Sequence, residues 1–447
     1  MRSGRWTWNA AARRAQAGAF PQRLRAGRHP LISIFDLAAL LLTLSALFGW
    51  LNRRFLRMPH SIGLLVMGLL ASLALVLADV AFPQEHLYAD LTRVLDQVDF
   101  TGVVMNGMLA FLLFAGALNL DLRALRERAF AVATLALLGT LLSTVLVGGA
   151  FWGVAQILGS PLPLAWALVF GALISPTDPV AVLATLKNVK VPEALEVEMQ
   201  GEALFNDGIG IVLFTVLLAY ATGSGGDATS AGGVATLLLH EAGGGLTLGI
   251  LTGYLAYRAM KAIDDFPVEV LITLALVTGT YALAQKLGAS GPLAVVAAGL
   301  LIGERAPRYA MSENTRTYVS ALWTLIDEVL NSVLFLLIGL EVLVLRFQVS
   351  GLALAACAVP IVLVARLIAV SAPVLLFRWG GSLSLGNVPF LTWAGVRGGI
   401  SVALALSMPE SEAKPAILAA TYAVVLFTII VQGSTLGFLA RRTLRAG

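Results

Sequence analysis

The sequence predicts an all-α polytopic membrane protein of about 13 transmembrane helices, arranged as inverted repeats with two broken helices crossing at the membrane midplane. Three observations carry this expectation. Apolar runs of spanning length recur along nearly the whole chain, charges are largely confined to the stretches between them, and two interrupted runs stand seven segments apart. Of the 447 residues, 58% are hydrophobic and 13% charged, against roughly 25% charged in a soluble domain. A water-soluble fold could not hide that much apolar surface. The net charge of +4 comes from arginines clustered in the N-terminal tail and the loops, which points to membrane orientation and away from nucleic acid. The single cysteine, Cys357, lies in an apolar run and reads as a small buried hydrophobe.

The chain opens with a basic tail, residues 1–30, holding seven arginines and no acid. It is expected to be disordered, or to lie on the lipid surface through Trp6 and Trp8. A start assigned too far upstream is an equal alternative. The first apolar run, 31–52, lacks a small-x-small cleavage pattern and is followed by Arg53, Arg54 and Arg57, so it reads as a retained helix and not as a signal peptide. Further runs follow at 61–82, 100–119, 129–158, 162–186, 199–221, 234–260 and 267–286. The ninth, 291–303, is short; it either continues to about 308 or is partly re-entrant. The last four occupy 321–345, 351–377, 386–407 and 416–439. Separators are Gly/Ser-rich (222–233) or charged (305–316), so 31–440 reads as one transmembrane domain with a short cytoplasmic tail at 441–447 and no soluble regulatory domain.

Basic residues concentrate in alternate loops: Arg53, Arg54 and Arg57; Arg123, Arg126 and Arg128; Lys187 and Lys190; Arg305, Arg308 and Arg316; Arg441, Arg442 and Arg445. Positive loops stay inside, which puts the C-terminus in the cytoplasm and the N-terminus outside, with a bacterial inner membrane as the expected location. The basic N-terminal tail runs against this, but the bias spread over many loops outweighs one tail.

The fifth run is broken by Pro176 and Pro179 on either side of Thr177-Asp178, which frees the carbonyls of Ala172 and Ser175. The twelfth is broken by Gly395-Val396-Arg397-Gly398-Gly399. An odd offset of seven segments makes these two runs cross in opposite directions, and matched interrupted helices point to a transporter with its site at the midplane.

In the sixth run, Glu202 and Asn206 share one helical face and Ala203 and Asp207 the next, so both faces can look into a cavity beside the first break. Freed carbonyls, a carboxylate and an amide oxygen form a hard, all-oxygen site suited to a small alkali cation. Arg366, mid-span in the eleventh run, costs about 2.5–3.5 kcal/mol unless a carboxylate pairs with it; Glu202 or Asp207 is the candidate. If Glu202 is that partner, Asp207 alone is left to take up a proton or a cation. Loaded with either, Asp207 is neutral; empty, it is charged and cannot be moved through a dry barrier. Exchange is then obligatory, one cation per proton, with no net charge moved. Arg397 can offset the negative ends of half-helices and Asp178 the positive ends. Asp327, Glu328 and Asn331 read as cavity-entrance or packing residues, and Asp264-Asp265 as a solvated loop.

Other classes fit less well. Gly288-Ala289-Ser290-Gly291 looks like an intramembrane serine nucleophile, but none of His29, His60, His86 and His240 stands where a base is needed. His240-Glu241-Ala242-Gly243-Gly244 lacks the second histidine of a metalloprotease. A single deep carboxylate that must be neutralised favours stepwise exchange over a channel.

From about residue 35 onward the chain resembles the electroneutral sodium/proton exchangers of the monovalent cation/proton antiporter superfamily. The resemblance rests on LLFAGALNLDLRALR, GALISPTDPVAVLATLK, GEALFNDGIGIVLF, ITLALVTGTYALAQKLGASGPLAVVAAGLLIG, NSVLFLLIGLE and WAGVRGGISVALALS. It implies exchange of Na+ or Li+ for H+, with no cofactor, at a cation site of Asp207, Asn206, the Thr177 carbonyl and Glu202, the last held by Arg366. It also implies a homodimer with separate core and interface domains and an elevator-like movement. The Asn206-Asp207 pair falls on the family's electroneutral side, in agreement with the charge argument. One position departs from the pattern: Ala203 stands where the family often has serine, which removes a possible oxygen ligand and leaves a K+/H+ exchanger as the alternative.

Overall fold

The computed structural model describes residues 34–81, 100–160, 162–186, 189, 191–223, 239–342, 349–377 and 385–444. The basic tail 1–30, most of the Gly/Ser-rich separator and the final residues 445–447 lie outside the described residues. All regular structure among the described residues is helical; each of the 13 predicted apolar runs contains helix, several in more than one piece, and a further short helix at Leu122–Glu127 lies between the third and fourth runs. Ten of the resulting spans are long and apolar enough to cross a membrane.

In chain order the principal helices are α1 (Ile34–Leu51), α2 (His60–Ala81), α3 (Leu109–Asn119), α4 (Thr140–Ile157), α5 (Leu164–Ile174), α6 (Pro179–Leu186), α7 (Glu193–Ala221) and α8 (Gly244–Met260). They continue as α9 (Phe266–Lys286), α10 (Gly291–Tyr309), α11 (Glu313–Glu341), α12 (Val349–Phe377), α13 (Val388–Trp393), α14 (Gly399–Ser407), α15 (Lys414–Phe427) and α16 (Gly433–Thr443). The broken fifth run is α5 with α6, and the broken twelfth is α13 with α14. Single π-helical turns at Asn52–Leu56, Gly102–Met108, Leu135–Gly139, Leu239–Gly243 and Thr428–Gln432 interrupt or extend other spans. Apolar periodicity does not foretell these turns, because one extra residue in a helix that is apolar all round leaves no trace in the pattern.

One boundary left open is decided, in favour of the longer ninth run, and two differ from expectation. The ninth run is one continuous helix through Pro307, capped at its start by the Ser290 hydroxyl, which accepts from the Leu293 N–H at 3.4 Å. That Ser290 hydroxyl therefore caps a helix, where the sequence had suggested a nucleophile. α7 starts at Glu193, earlier than predicted, with Glu193 and Glu196 in the first turn where carboxylates oppose the positive helix end. The expected tail 441–447 is helical as far as Thr443, with Arg441 and Arg442 suiting the negative end of α16 and the Arg442 guanidinium 4.3 Å from the Phe438 ring. Asp265, expected simply to be solvated, caps α9 through the Val268 N–H.

Lipid is as apolar as leucine, so helices associate here by close packing at small residues. A Cβ on Gly249 of α8 would lie 2.0 Å from the Ala294 carbonyl oxygen of α10, and one on Gly171 of α5 would lie 2.2 Å from the Thr144 carbonyl oxygen of α4. Two buried apolar clusters result. The larger gathers residues of α5, α12, α14 and α15, among them Phe170, Val362, Val402 and Tyr422. The smaller gathers α3, α8, α9 and α10 with the first half of α11, where the Phe114 and Trp323 rings lie 4.6 Å apart.

Candidate ion-exchange site

The two breaks meet. Between α5 and α6 the chain Ser175-Pro176-Thr177-Asp178 is not helical, and between α13 and α14 neither is Ala394 to Gly398. The Asp178 N–H donates to the Val396 carbonyl at 2.7 Å, so one backbone hydrogen bond joins the two interruptions directly. Of the carbonyls freed by the prolines, that of Ala172 accepts from the Ser175 N–H at 3.3 Å in a tightened turn. That of Ser175 accepts from the Arg397 guanidinium, which also donates to the Pro176 carbonyl at 2.9 Å. Arg397 is fully buried, which rules out a snorkelling role, and it lies at the negative end of α5. At the opposite kind of terminus, the Asp178 carboxylate accepts from the Val180 N–H at 2.8 Å in the first turn of α6.

The glycines of the second break leave room for these charges. A Cβ on Gly398 would fall 2.3 Å from the Asp178 Oδ2, and one on Gly395 would fall 2.8 Å from the Arg366 Nε. Only backbone without a side chain lets the two breaks approach this closely.

On α7, Glu202, Asn206 and Asp207 are all buried. Glu202 takes a two-pronged ion pair from Arg366 of α12, with Nη1 on Oε1 and Nη2 on Oε2 at 2.9 Å. Fork-to-fork pairing satisfies both carboxylate oxygens. Arg366 also donates to the Leu391 carbonyl of α13 at 3.4 Å. Asn206 is engaged as well: its Oδ1 accepts from the Thr177 N–H at 3.3 Å and its Nδ2 donates to the Thr177 hydroxyl at 2.9 Å. One face of α7 thus ties the helix to the first break and to α12. Asp207, on the adjacent stripe, has no ion-pair or hydrogen-bond partner among the described residues.

Asp207 faces a cavity of about 210 Å³ whose walls come from α3, both breaks, α6, α7, α11 and α14. Thr177, Asp178, Ala203, Asp207, Asp327, Asn331 and Ser401 line it; Glu202, Asn206, Arg366 and Arg397 do not. The cavity wall therefore carries three carboxylates and no basic side chain. The sequence reads Asp327 and Asn331 as cavity-entrance or packing residues, and in the structure both line the cavity. Their spacing of four on an apolar helix was the signal that they share one inward face. Sequence reasoning passes over two other features: the Arg128–Glu198 ion pair at 3.0 Å, and the fully buried Glu269, which accepts from the Thr315 hydroxyl at 3.2 Å.

Residues 42–442 match the family model described as "Sodium/hydrogen exchanger, transmembrane". The chain is 41% identical over 414 residues to the Na(+)/H(+) antiporter NhaP of Pseudomonas aeruginosa, covering 92% of this chain and 97% of that one. It is 35% identical over 396 residues to the Na(+)/H(+) antiporter NhaH of Halobacillus dabanensis, covering 87% and 93%. In fold it is similar to the sodium proton antiporter MjNhaP1 of Methanocaldococcus jannaschii, with a TM-score of 0.71, 21% identity and coverage of 92% and 98%. A family match over almost the whole length, with close relatives of the same extent, makes this chain a multi-span membrane protein of the sodium/hydrogen exchanger family, a family of transporters and not of enzymes.

Proposed function

We propose that the protein exchanges Na+ or Li+ for H+ across the membrane, one for one and without net charge movement, with Asp207 as the site the two ions share. The observation that carries this reading is the division of labour on α7. Glu202 is neutralised by Arg366, Asn206 is occupied with Thr177, and Asp207 is left facing the cavity without a partner among the described residues. A partly dehydrated cation needs oxygen ligands. Asp207 supplies the charge and the Thr177 carbonyl, exposed by the break, a neutral oxygen; Glu202 and Asn206 keep both in register.

A proton or a cation each neutralises Asp207, so loaded forms pass the low-dielectric barrier at lower cost than the empty carboxylate. Arg397 and Asp178 hold the crossing together as a unit that can move relative to the surrounding helices. Carried over from the family resemblance and the loop charges are a homodimer, an inner-membrane location and a cytoplasmic C-terminus. A K+/H+ exchanger is the second reading, favoured by Ala203, which lines the cavity and offers no oxygen beside Asp207.

The test is exchange in proteoliposomes with an interior pH dye, adding Na+, Li+ or K+ outside. Na+ and Li+ should collapse the pH gradient and K+ should not. Asp207→Asn should abolish the response; activity retained by that variant removes the central assignment. Clamping the potential with valinomycin should leave the wild-type initial rate unchanged.

A further inference from the structure

Away from the Asp207 cavity, another pocket of about 340 Å³ opens between the short helix Leu122–Glu127 and the C-terminal ends of α8 and α10. Arg126, Tyr257, Glu304, Arg305 and Tyr309 line it, and none of these lines the Asp207 cavity. The charges of this pocket do not balance. Glu304, its single acid, is already paired with Arg308 at 2.6 Å. The exposed guanidinium groups of Arg126 and Arg305 have neither a hydrogen bond nor an ion pair among the described residues, and that of Arg305 rests 6.0 Å from the centre of the Tyr257 ring.

Two like charges from different elements that face one small space repel unless an anion lies between them. Forked donors from two arginines, with tyrosine hydroxyls beside them, are the chemistry that takes up a phosphate group. The surroundings say which phosphate. Ile250, Tyr254 and Tyr257 fall on one stripe of α8, the two tyrosine rings 6.2 Å apart, and Ile250, Leu251 and Tyr254 are exposed. A basic pocket at the end of a span thus runs straight into an uncovered apolar face through an aromatic residue, the arrangement found at a membrane–water boundary. A soluble anion would use only the first half of it. A phospholipid uses both.

We propose that Arg126 and Arg305 form a binding site for an anionic phospholipid, its phosphate between the two guanidinium groups and its acyl chains along the Ile250–Tyr254 face of α8. Basic pockets between membrane helices recognise anionic head groups in this way. The bound lipid turns the repulsion between the short helix and α10 into a tether. The chain runs on from that helix into Arg128, which pairs with Glu198 of α7 at 3.0 Å, so the tether reaches the helix that carries Asp207.

The experiment follows thermal unfolding of the purified, delipidated full-length protein in a neutral detergent as phosphatidylglycerol, phosphatidylcholine or inorganic phosphate is added at constant ionic strength. Phosphatidylglycerol should raise the unfolding temperature of the wild type, and the other two should not. Each basic residue facing an anionic head group is worth about fivefold in binding, so Arg126→Gln/Arg305→Gln should need roughly twentyfold more phosphatidylglycerol for half of the effect. Arg123→Gln, an exposed residue of the same short helix outside the pocket, should respond as the wild type does. A wild-type response in the double variant overturns the proposal, and so does an equal loss in Arg123→Gln, which marks attraction to the whole basic face. Equal stabilisation by phosphatidylcholine removes the role of the charge, and equal stabilisation by inorganic phosphate makes the site one for a free anion; either result overturns the lipid assignment. If the double variant does not assemble, Arg126→Gln and Arg305→Gln decide singly: an unchanged requirement for phosphatidylglycerol in both overturns it.

Discussion

Arg397 of one broken helix donates to the Ser175 and Pro176 carbonyls of the other, while the Asp178 N–H of the first donates to the Val396 carbonyl of the second, at 2.7 Å. Each interruption thus satisfies backbone that the other leaves exposed, at a depth where no lipid group could do so.

Arg397→Ala should leave two buried carbonyls without a donor, at about 1–3 kcal/mol each, and remove the charge that offsets the end of α5. Purified protein should unfold at lower temperature and exchange should be lost. Arg397→Lys keeps the charge but not the fork, and should recover stability in part. Thermal unfolding in detergent, followed beside exchange in proteoliposomes, checks both.

The Glu202–Arg366 pair is expected to be structural and not to carry the transported ion. Removing either partner alone, as in Glu202→Gln or Arg366→Gln, strands a buried charge and should destabilise by about 3–5 kcal/mol. The double variant Glu202→Gln/Arg366→Gln should be more stable than either single change. A double-mutant cycle on unfolding temperature measures the coupling; strict additivity would contradict the pairing.

Asn206→Asp removes the amide that donates to the Thr177 hydroxyl and places a second carboxylate beside Asp207. Exchange should slow, and what remains should depend on membrane potential, since moving a full charge across 100 mV is worth about 2.3 kcal/mol. Initial rates with and without a valinomycin clamp give the answer.

If proton and cation share Asp207 as proposed, their competition fixes the sign of the pH dependence. A proton on the carboxylate excludes the cation, so the apparent KM for Na+ should rise as pH falls, approaching roughly tenfold per pH unit at the acidic end. The maximal rate at saturating Na+ should change far less over the same range. A KM independent of pH would mean that the two ions do not share a site.

Gly249→Val should separate α8 from α10, because its Cβ would sit 2.0 Å from the Ala294 carbonyl oxygen. Overpacking of this kind costs about 1–3 kcal/mol. Gly153→Val, on α4 with nothing within 4 Å of a Cβ, is the matched control and should leave unfolding temperature unchanged.

The sequence by itself determined the class and much of the topology. Uninterrupted apolar runs must become helices in a membrane, because backbone polar groups have no other partner there, and the prolines around Asp178 and the glycines around Arg397 marked both breaks. The spacing of Glu202, Asn206 and Asp207 placed them on two adjoining faces of one helix. What those faces meet was decided only by tertiary packing. Nothing in the spacing says that Asn206 turns to Thr177, or that the Ser175 carbonyl freed by Pro179 is taken by Arg397. Nor could it reveal that Asp327, well over a hundred residues further along, shares a wall with Asp207. A helix's own period records which residues lie together on one face; which other helix closes over that face depends on where small residues such as Gly171, Gly249 and Gly398 let backbones come close.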